Sequence, residues 1–207
     1  MTKQFIFLLA LTTLLIAACR GQQPYTEIFD EAGTWRVGED PDVNGQVIDG
    51  VYQFEVSADV GTFWTTAGEN FRNGLYSVEV TQTDGPIDAG YGLMLRVDDN
   101  NDSFYLFEIS GDGYAWIGRC LAGCSEQTVL INDWWFETSA IKQGLGISNE
   151  LKVEANAGNL LFFINDIEVG RVTDSILSQG DVGLFVETIG LGDVTIQFDN
   201  VRVSPLE

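Results

Sequence analysis

Glu108 and Glu187 are the acids best placed for chemistry, because each ends a run of alternating residues beside aromatic rings, Phe104 to Glu108 and Val182 to Glu187. Two carboxyl groups facing each other across roughly 5 to 10 Å can hydrolyse a glycosidic bond, one protonating the departing oxygen while the other acts as base or nucleophile. Taken singly, each is more simply a solvated or salt-bridged strand carboxylate, and no catalytic residue is assigned. The chain contains no histidine, which removes Ser-His-Asp and Cys-His nucleophilic catalysis and histidine-based metal hydrolysis. What remains is recognition. Arg96 and Glu108 can hydrogen-bond hydroxyls, Tyr114, Trp116 or Trp134 can stack on a sugar ring, and Glu187 joins the same ligand-binding set.

These side chains need a sheet to hold them, and the stretch from Tyr91 to Arg119 supplies one: three period-2 segments joined by turns rich in Asp, Asn and Gly. Leu93, Leu95, Val97, Tyr105, Phe107 and Ile109 form the better core set. Their alternates, Arg96 and Glu108 with Tyr114 or Trp116 on the third segment, are then expected to share the opposite face. Around this centre the chain reads as strands throughout. Asp49-Gly50 separates Val47-Ile48 from Val51 to Val56 as a tight hairpin does, Thr62 to Thr66 and Leu75 to Thr83 follow, and Thr128 to Ile131 comes after the central stretch. Leu151 to Ala155, Leu160 to Ile164 and Ile167 to Val172 are joined by Ala157-Gly158-Asn159 and Asn165-Asp166. Val182 to Glu187 and Val194 to Val203 close the set, with a change of phase that predicts a bulge at Asp199-Asn200. Trp134-Trp135-Phe136 sits in a long irregular connection. Two adjacent tryptophans cannot both enter one side of a strand, so one packs and the other is exposed, as an end plug or, less simply, as a sugar platform.

Lys3, the apolar run Phe5 to Ala18 and the small residues before Cys19 make an export signal too short to span a membrane comfortably. Leu15-Ile16-Ala17-Ala18-Cys19 resembles the bacterial lipoprotein cleavage box, in which the cysteine is acylated and becomes the first mature residue. The expected organisation is a signal peptide over residues 1–18, a lipidated tether over 19–24 and one domain over 25–207. With Cys19 lipidated, Cys120 and Cys124 are an even pair in an oxidising compartment, expected to form a small disulfide loop. A C-x3-C pair in a chain without histidine does not complete a zinc site.

The formal charge is -21, from 10 basic and 31 acidic residues. Such a surface repels phosphate backbones, so nucleic acid is excluded as a partner, and membrane contact is expected through the lipid alone. Acidity also raises the question of calcium. Asp98-Asp99-Asn100-Asn101-Asp102 gathers hard oxygen ligands but lacks the glycine and distal glutamate of an EF-hand loop, and reads as a solvated hairpin turn. Glu27 or Asp30 with Asp199 is a second weak metal set, so no cofactor is assigned beyond the possibility of structural calcium.

Phe29, Trp35, Tyr91 to Arg96, Tyr105-Leu106-Phe107, Asn149 to Val153, Asn165-Asp166, Gly180 to Leu184 and Phe198 to Val201 together resemble the concanavalin A-like superfamily. The branch is the one with keto-disaccharide hydrolase-like domains and fructan-binding modules. The resemblance implies an all-β fold, an antiparallel two-sheet jelly-roll sandwich of concanavalin A-like or LamG-like form, in one domain. The laminarinases resembling this fold carry E-x-D-x-E on one strand, and the motif is absent here. The leading expectation is an envelope-anchored lipoprotein whose non-catalytic sandwich binds a glycan or another extracellular ligand. The alternatives are a glycan hydrolase of the keto-disaccharide type and a structural or protein-interaction lipoprotein.

Overall fold

The structure, a computed structural model, describes residues 23–31 and 33–206. Among these residues there is no helix, and the strands are β1 (Tyr25–Glu27), β2 (Gly38–Glu39), β3 (Val43–Ile48), β4 (Val51–Val56), β5 (Val60–Thr66), β6 (Gly74–Asp84), β7 (Gly90–Asp98), β8 (Ser103–Ile109), β9 (Tyr114–Leu121), β10 (Glu126–Val129), β11 (Phe136–Glu137), β12 (Ser148–Asn156), β13 (Asn159–Ile164), β14 (Ile167–Thr173), β15 (Asp181–Ile189) and β16 (Val194–Ser204). The expected signal peptide and the lipidation residue Cys19 lie outside the described residues. The strands form two antiparallel sheets. The larger runs β14-β13-β12-β6-β16-β4-β3-β2, with β1 also on β16, and the smaller runs β10-β9-β8-β7-β15-β5, with β11 also on β9. The architecture is the expected jelly-roll sandwich.

Strand alternation decides what lies between the sheets. Leu93, Leu95, Tyr105, Phe107, Ile109 and Ile117 of the smaller sheet meet Tyr76, Val78, Val80, Val153, Phe162 and Phe198 of the larger, all of them buried in one cluster. Phe107 and Phe162 touch edge to face across the gap, with centroids 5.3 Å apart. Trp35, near the start of the domain, is buried against Phe29 in the same way. The bulge expected in the last strand is present, as the β16–β6 register shifts between Asp199 and Arg202 and Asn200 has φ 54°.

A second bulge overturns one expectation. The alternation of β7 holds through Leu95, but Arg96 has φ 54° and is skipped in the pairing with both neighbours: Leu95 pairs Tyr105 before Asp98 pairs Ser103, and Val182 pairs Leu95 while Asp181 pairs Val97. An extra residue in one strand reverses the phase beyond it. Val97 therefore joins the outer cluster. Arg96 is fully buried, its guanidinium donating to the carbonyls of Arg72 (3.3 Å), Leu177 (2.9 Å) and Ala157 (2.7 Å). Arg96 is therefore not a binding-face residue; it ties three loops together at one end of the sandwich.

Candidate functional site

The outer face of the smaller sheet carries the remaining candidates. On β8 the outward residues are Phe104, Leu106 and Glu108, on β9 Tyr114, Trp116 and Gly118, on β15 Phe185 and Glu187, and on β5 Trp64, as the registers Glu108 with Trp116, Glu108 with Gly92 and Phe185 with Trp64 require. Met94, Phe104, Leu106, Trp116 and Phe185 form a second apolar cluster here, separate from the core between the sheets. A two-sided sheet of this kind needs cover on its outer side. Trp64 supplies it from one edge, its ring 6.3 Å from Phe104, and the segment between β10 and β11 supplies it from the other.

That segment resolves the tryptophan pair. Trp135 is half-buried and packs on the outer cluster, its ring reaching the notch at Gly90, while Trp134 is 56% exposed and stands edge-on to Trp116 at 6.3 Å. The connection thus covers the sheet face rather than an end of the sandwich. Trp116 is 2% exposed, because its indole folds back over Gly118 of its own strand, where any Cβ would collide with the ring. Trp116 is consequently a floor beneath Trp134 and not itself a free stacking surface. Tyr114, at the start of β9, is partly exposed.

Glu108 and Glu187 are separated by β7, and β7 is bare between them: Gly92 pairs Glu108 and Gly90 pairs Glu187. A Cβ on Gly90 would lie 2.5 Å from Glu108 Oε2 and 3.2 Å from the Trp135 ring, so the missing side chain makes the space the carboxyl occupies. Glu108 is 2% exposed, and its Oε2 has no hydrogen-bond partner among the described residues. Burial pushes its carboxyl well above the ordinary range, and the charge of Glu187 adds to the shift. Glu187, partly exposed, is also raised by burial. Water disfavours neither form of an exposed acid, but an apolar notch disfavours the charged one, so Glu108 keeps its proton to higher pH than its neighbours.

The other expected sites are placed as follows. Cys120 and Cys124 are joined by a disulfide, with Cα atoms 4.3 Å apart. Asp98 to Asp102 forms the β7–β8 turn, where Asp98 accepts bonds from the Asn100 backbone (3.1 Å) and the Asn101 amide (2.7 Å), and these bonds hold its carboxyl below the ordinary range. Glu27 accepts from the backbones of Ile28 and Phe29, and Asp199 from that of Asn200. Both strands that carry them do pair, Glu27 lying opposite Val201. Among the described residues no cluster of three or more acidic or cysteine side chains is arranged to hold a metal.

Two features of the face were not picked out in the sequence. Trp64 shares the outward phase of β5 with Thr62 and Thr66, a phase visible in the alternation of Thr62 to Thr66. Gly90 and Gly92 lie on the outward phase of β7, and small residues beside two acids are a readable sign of a notch.

Fold and face together define the class: an all-β, antiparallel two-sheet jelly-roll sandwich with an apolar cluster and two carboxyl groups on the outer side of one sheet. No family model and no curated protein matches the chain. Among solved structures it is similar to the carbohydrate-binding module CBM66 from Bacillus subtilis, with 22% identity, TM-score 0.61, and 87% of this chain and 95% of that one covered. A protein with a galectin-like fold from Bacillus subtilis has 12% identity and TM-score 0.65 over 87% of this chain and 94% of its own. A β-1,3-1,4-glucanase (lichenase) derived from a mouse hindgut metagenome has 13% identity and TM-score 0.63 over 89% of this chain and 100% of its own. At these identities the similarity establishes the fold, which carbohydrate-binding and glucan-cleaving proteins share.

Proposed function

We propose that the chain is a non-catalytic glycan-binding module, held at the cell envelope by lipid on Cys19, that binds saccharide on the outer face of its smaller sheet. The observation that carries this reading is the set of accessible rings, Trp134, Tyr114 and Trp64, on the face where Glu187 is the partly exposed carboxyl and Glu108 lies buried below it. Rings present flat apolar faces to sugar C–H groups, and a carboxyl on the same face takes hydroxyls. The similar solved structures include a carbohydrate-binding module, which fits the same ligand class.

One observation favours a second reading, a glycan hydrolase of the keto-disaccharide type: Glu108 and Glu187 converge over bare glycines and the first has a raised carboxyl, the arrangement an acid and its partner need. Against it, Glu108 is sealed beneath Trp135, where no glycosidic oxygen reaches it without displacement of that ring. A glycan array probed with the soluble chain from residue 20 onward, run beside a reducing-sugar release assay on every hit, separates the readings. Binding without release is the expected result. Release that is abolished by both Glu108→Gln and Glu187→Gln establishes the hydrolase instead, and no hit on any glycan overturns both.

A further inference from the structure

A cleft opens where the edge of the larger sheet, at β2 and β3, faces β5 at the edge of the smaller one. Its floor is formed by the rings of Tyr52 and Phe54, and its rim carries Arg36, Glu39, Asp40 and Trp64. Tyr52 and Phe54 are buried beneath it, 0% and 4% exposed, with the Tyr52 hydroxyl donating to the Arg36 carbonyl at 2.5 Å, so the accessible apolar surface of the cleft comes from Val37, Val43, Phe63 and Trp64. The rim backbone is fixed, since Asp40 and Val43 exchange backbone bonds at 2.9 and 3.3 Å. The rim side chains are uncommitted: among the described residues, the charged groups of Arg36, Glu39 and Asp40 make no hydrogen bond or ion pair, whereas Arg119, Lys152 and Arg171 are all ion-paired. Trp64 belongs to two places at once. It lines this cleft and it also packs at 6.3 Å on Phe104 of the sheet face.

We infer that this edge cleft is a second saccharide subsite, continuous with the sheet face through Trp64, and that it receives the end of a neutral glycan chain lying across the strands. The inference rests on the glycan-binding reading and deepens it. A guanidinium donor and two carboxylate acceptors lining one cleft match the vicinal hydroxyls of a sugar, and the indole in the same lining matches its C–H face. The same two carboxylates repel uronates, sulfated sugars and phosphates, as does the overall charge of -21. Length follows from the sheet order. From β9, beneath Trp134, to the cleft on the far side of β5 there are at least four strand spacings, roughly 19 Å of backbone on a flat sheet, and the Trp64 ring leans inward over this span toward Phe104 on β8. One ring does not span that distance, so a ligand using both ends is an oligomer.

The test measures affinity of unsubstituted gluco- and fructo-oligosaccharides of two to six units by calorimetry, with an oligogalacturonate of matching length as the anionic probe. The proteins are wild type, a rim variant combining Arg36→Gln, Glu39→Gln and Asp40→Asn, and Trp134→Ala. The rim residues are exposed, and an unchanged melting midpoint verifies the fold of the variant. Wild type is expected to bind hexamers more tightly than dimers. The rim variant is expected to lose about tenfold in hexamer affinity, the equivalent of one or two charged hydrogen bonds, with dimer affinity unchanged, and Trp134→Ala to weaken both lengths. Equal hexamer affinity in wild type and rim variant, equal affinity for dimer and hexamer in wild type, or preference for the galacturonate overturns the subsite while leaving glycan binding intact. If wild type binds none of the neutral oligomers, the glycan-binding reading falls and the subsite with it.

Discussion

Arg96 and Glu108 are both buried and both polar, yet they are satisfied in opposite degrees. Arg96 gives its donors to three carbonyls from three separate segments, so removing it strips charged hydrogen bonds from all three and leaves a cavity. Arg96→Ala is expected to cost about 3–5 kcal/mol of folding free energy, measured by denaturant titration, with ligand affinity unchanged in whatever fraction remains folded. A full loss of binding at unchanged stability would contradict the buried role. Glu108 has the reverse problem. Its folded carboxyl titrates well above the ordinary 4.5, so the folded state holds a proton that the unfolded chain has released. The stability this contributes is complete below the unfolded value and is lost as pH rises through the folded one. Glu108→Gln, which cannot ionise, should flatten that decline and leave the protein about 1–3 kcal/mol more stable than wild type at pH 8, with little difference at pH 4. Parallel pH profiles in the two proteins would contradict an unpaired buried acid.

At the scale of the strand and the loop, the sequence was a good guide wherever local pattern decides the outcome. The hairpin at Asp49-Gly50, the bulge at Asp199-Asn200 and the division of labour between Trp134 and Trp135 follow from turn chemistry and alternation. The burial of Arg96 is not legible in the sequence because its bulge carries no glycine or proline; an arginine with φ 54° arises from the pairing of three strands, and no single strand announces it. The path of the Trp134 segment across the sheet face was equally hidden, since it is set by contacts with Gly90 and Trp116 on distant parts of the chain. Two element-scale predictions follow from burial. Phe107→Ala, which removes the edge-to-face contact with Phe162, should cost about 3–5 kcal/mol, read from the denaturation midpoint. Replacing Cys120 and Cys124 together by serine should leave a folded protein weaker by about 2 kcal/mol, the chain entropy of so short a loop, and thiols that label rapidly in the unreduced wild type would show the pair to be open.

The whole molecule is a sandwich whose two faces are used differently: one side of each sheet builds the common core, and the outer side of the smaller sheet builds a second, shallower cluster beneath the tryptophans. Membrane attachment is proposed from the Leu15 to Cys19 box alone. Cys19→Ser should move the protein from the membrane to the soluble fraction or block its processing, and unchanged fractionation with normal processing would remove the anchor from the proposal. The position of β16 has a separate consequence for biogenesis. This strand, the last in chain order among those described, wedges between β6 and β4 and also carries β1. Until Val194 to Ser204 has emerged from the ribosome, the larger sheet is two fragments with raw edges, and no amount of waiting completes it. A nascent chain whose larger sheet stays open until β16 is made is one that a narrow channel can still thread.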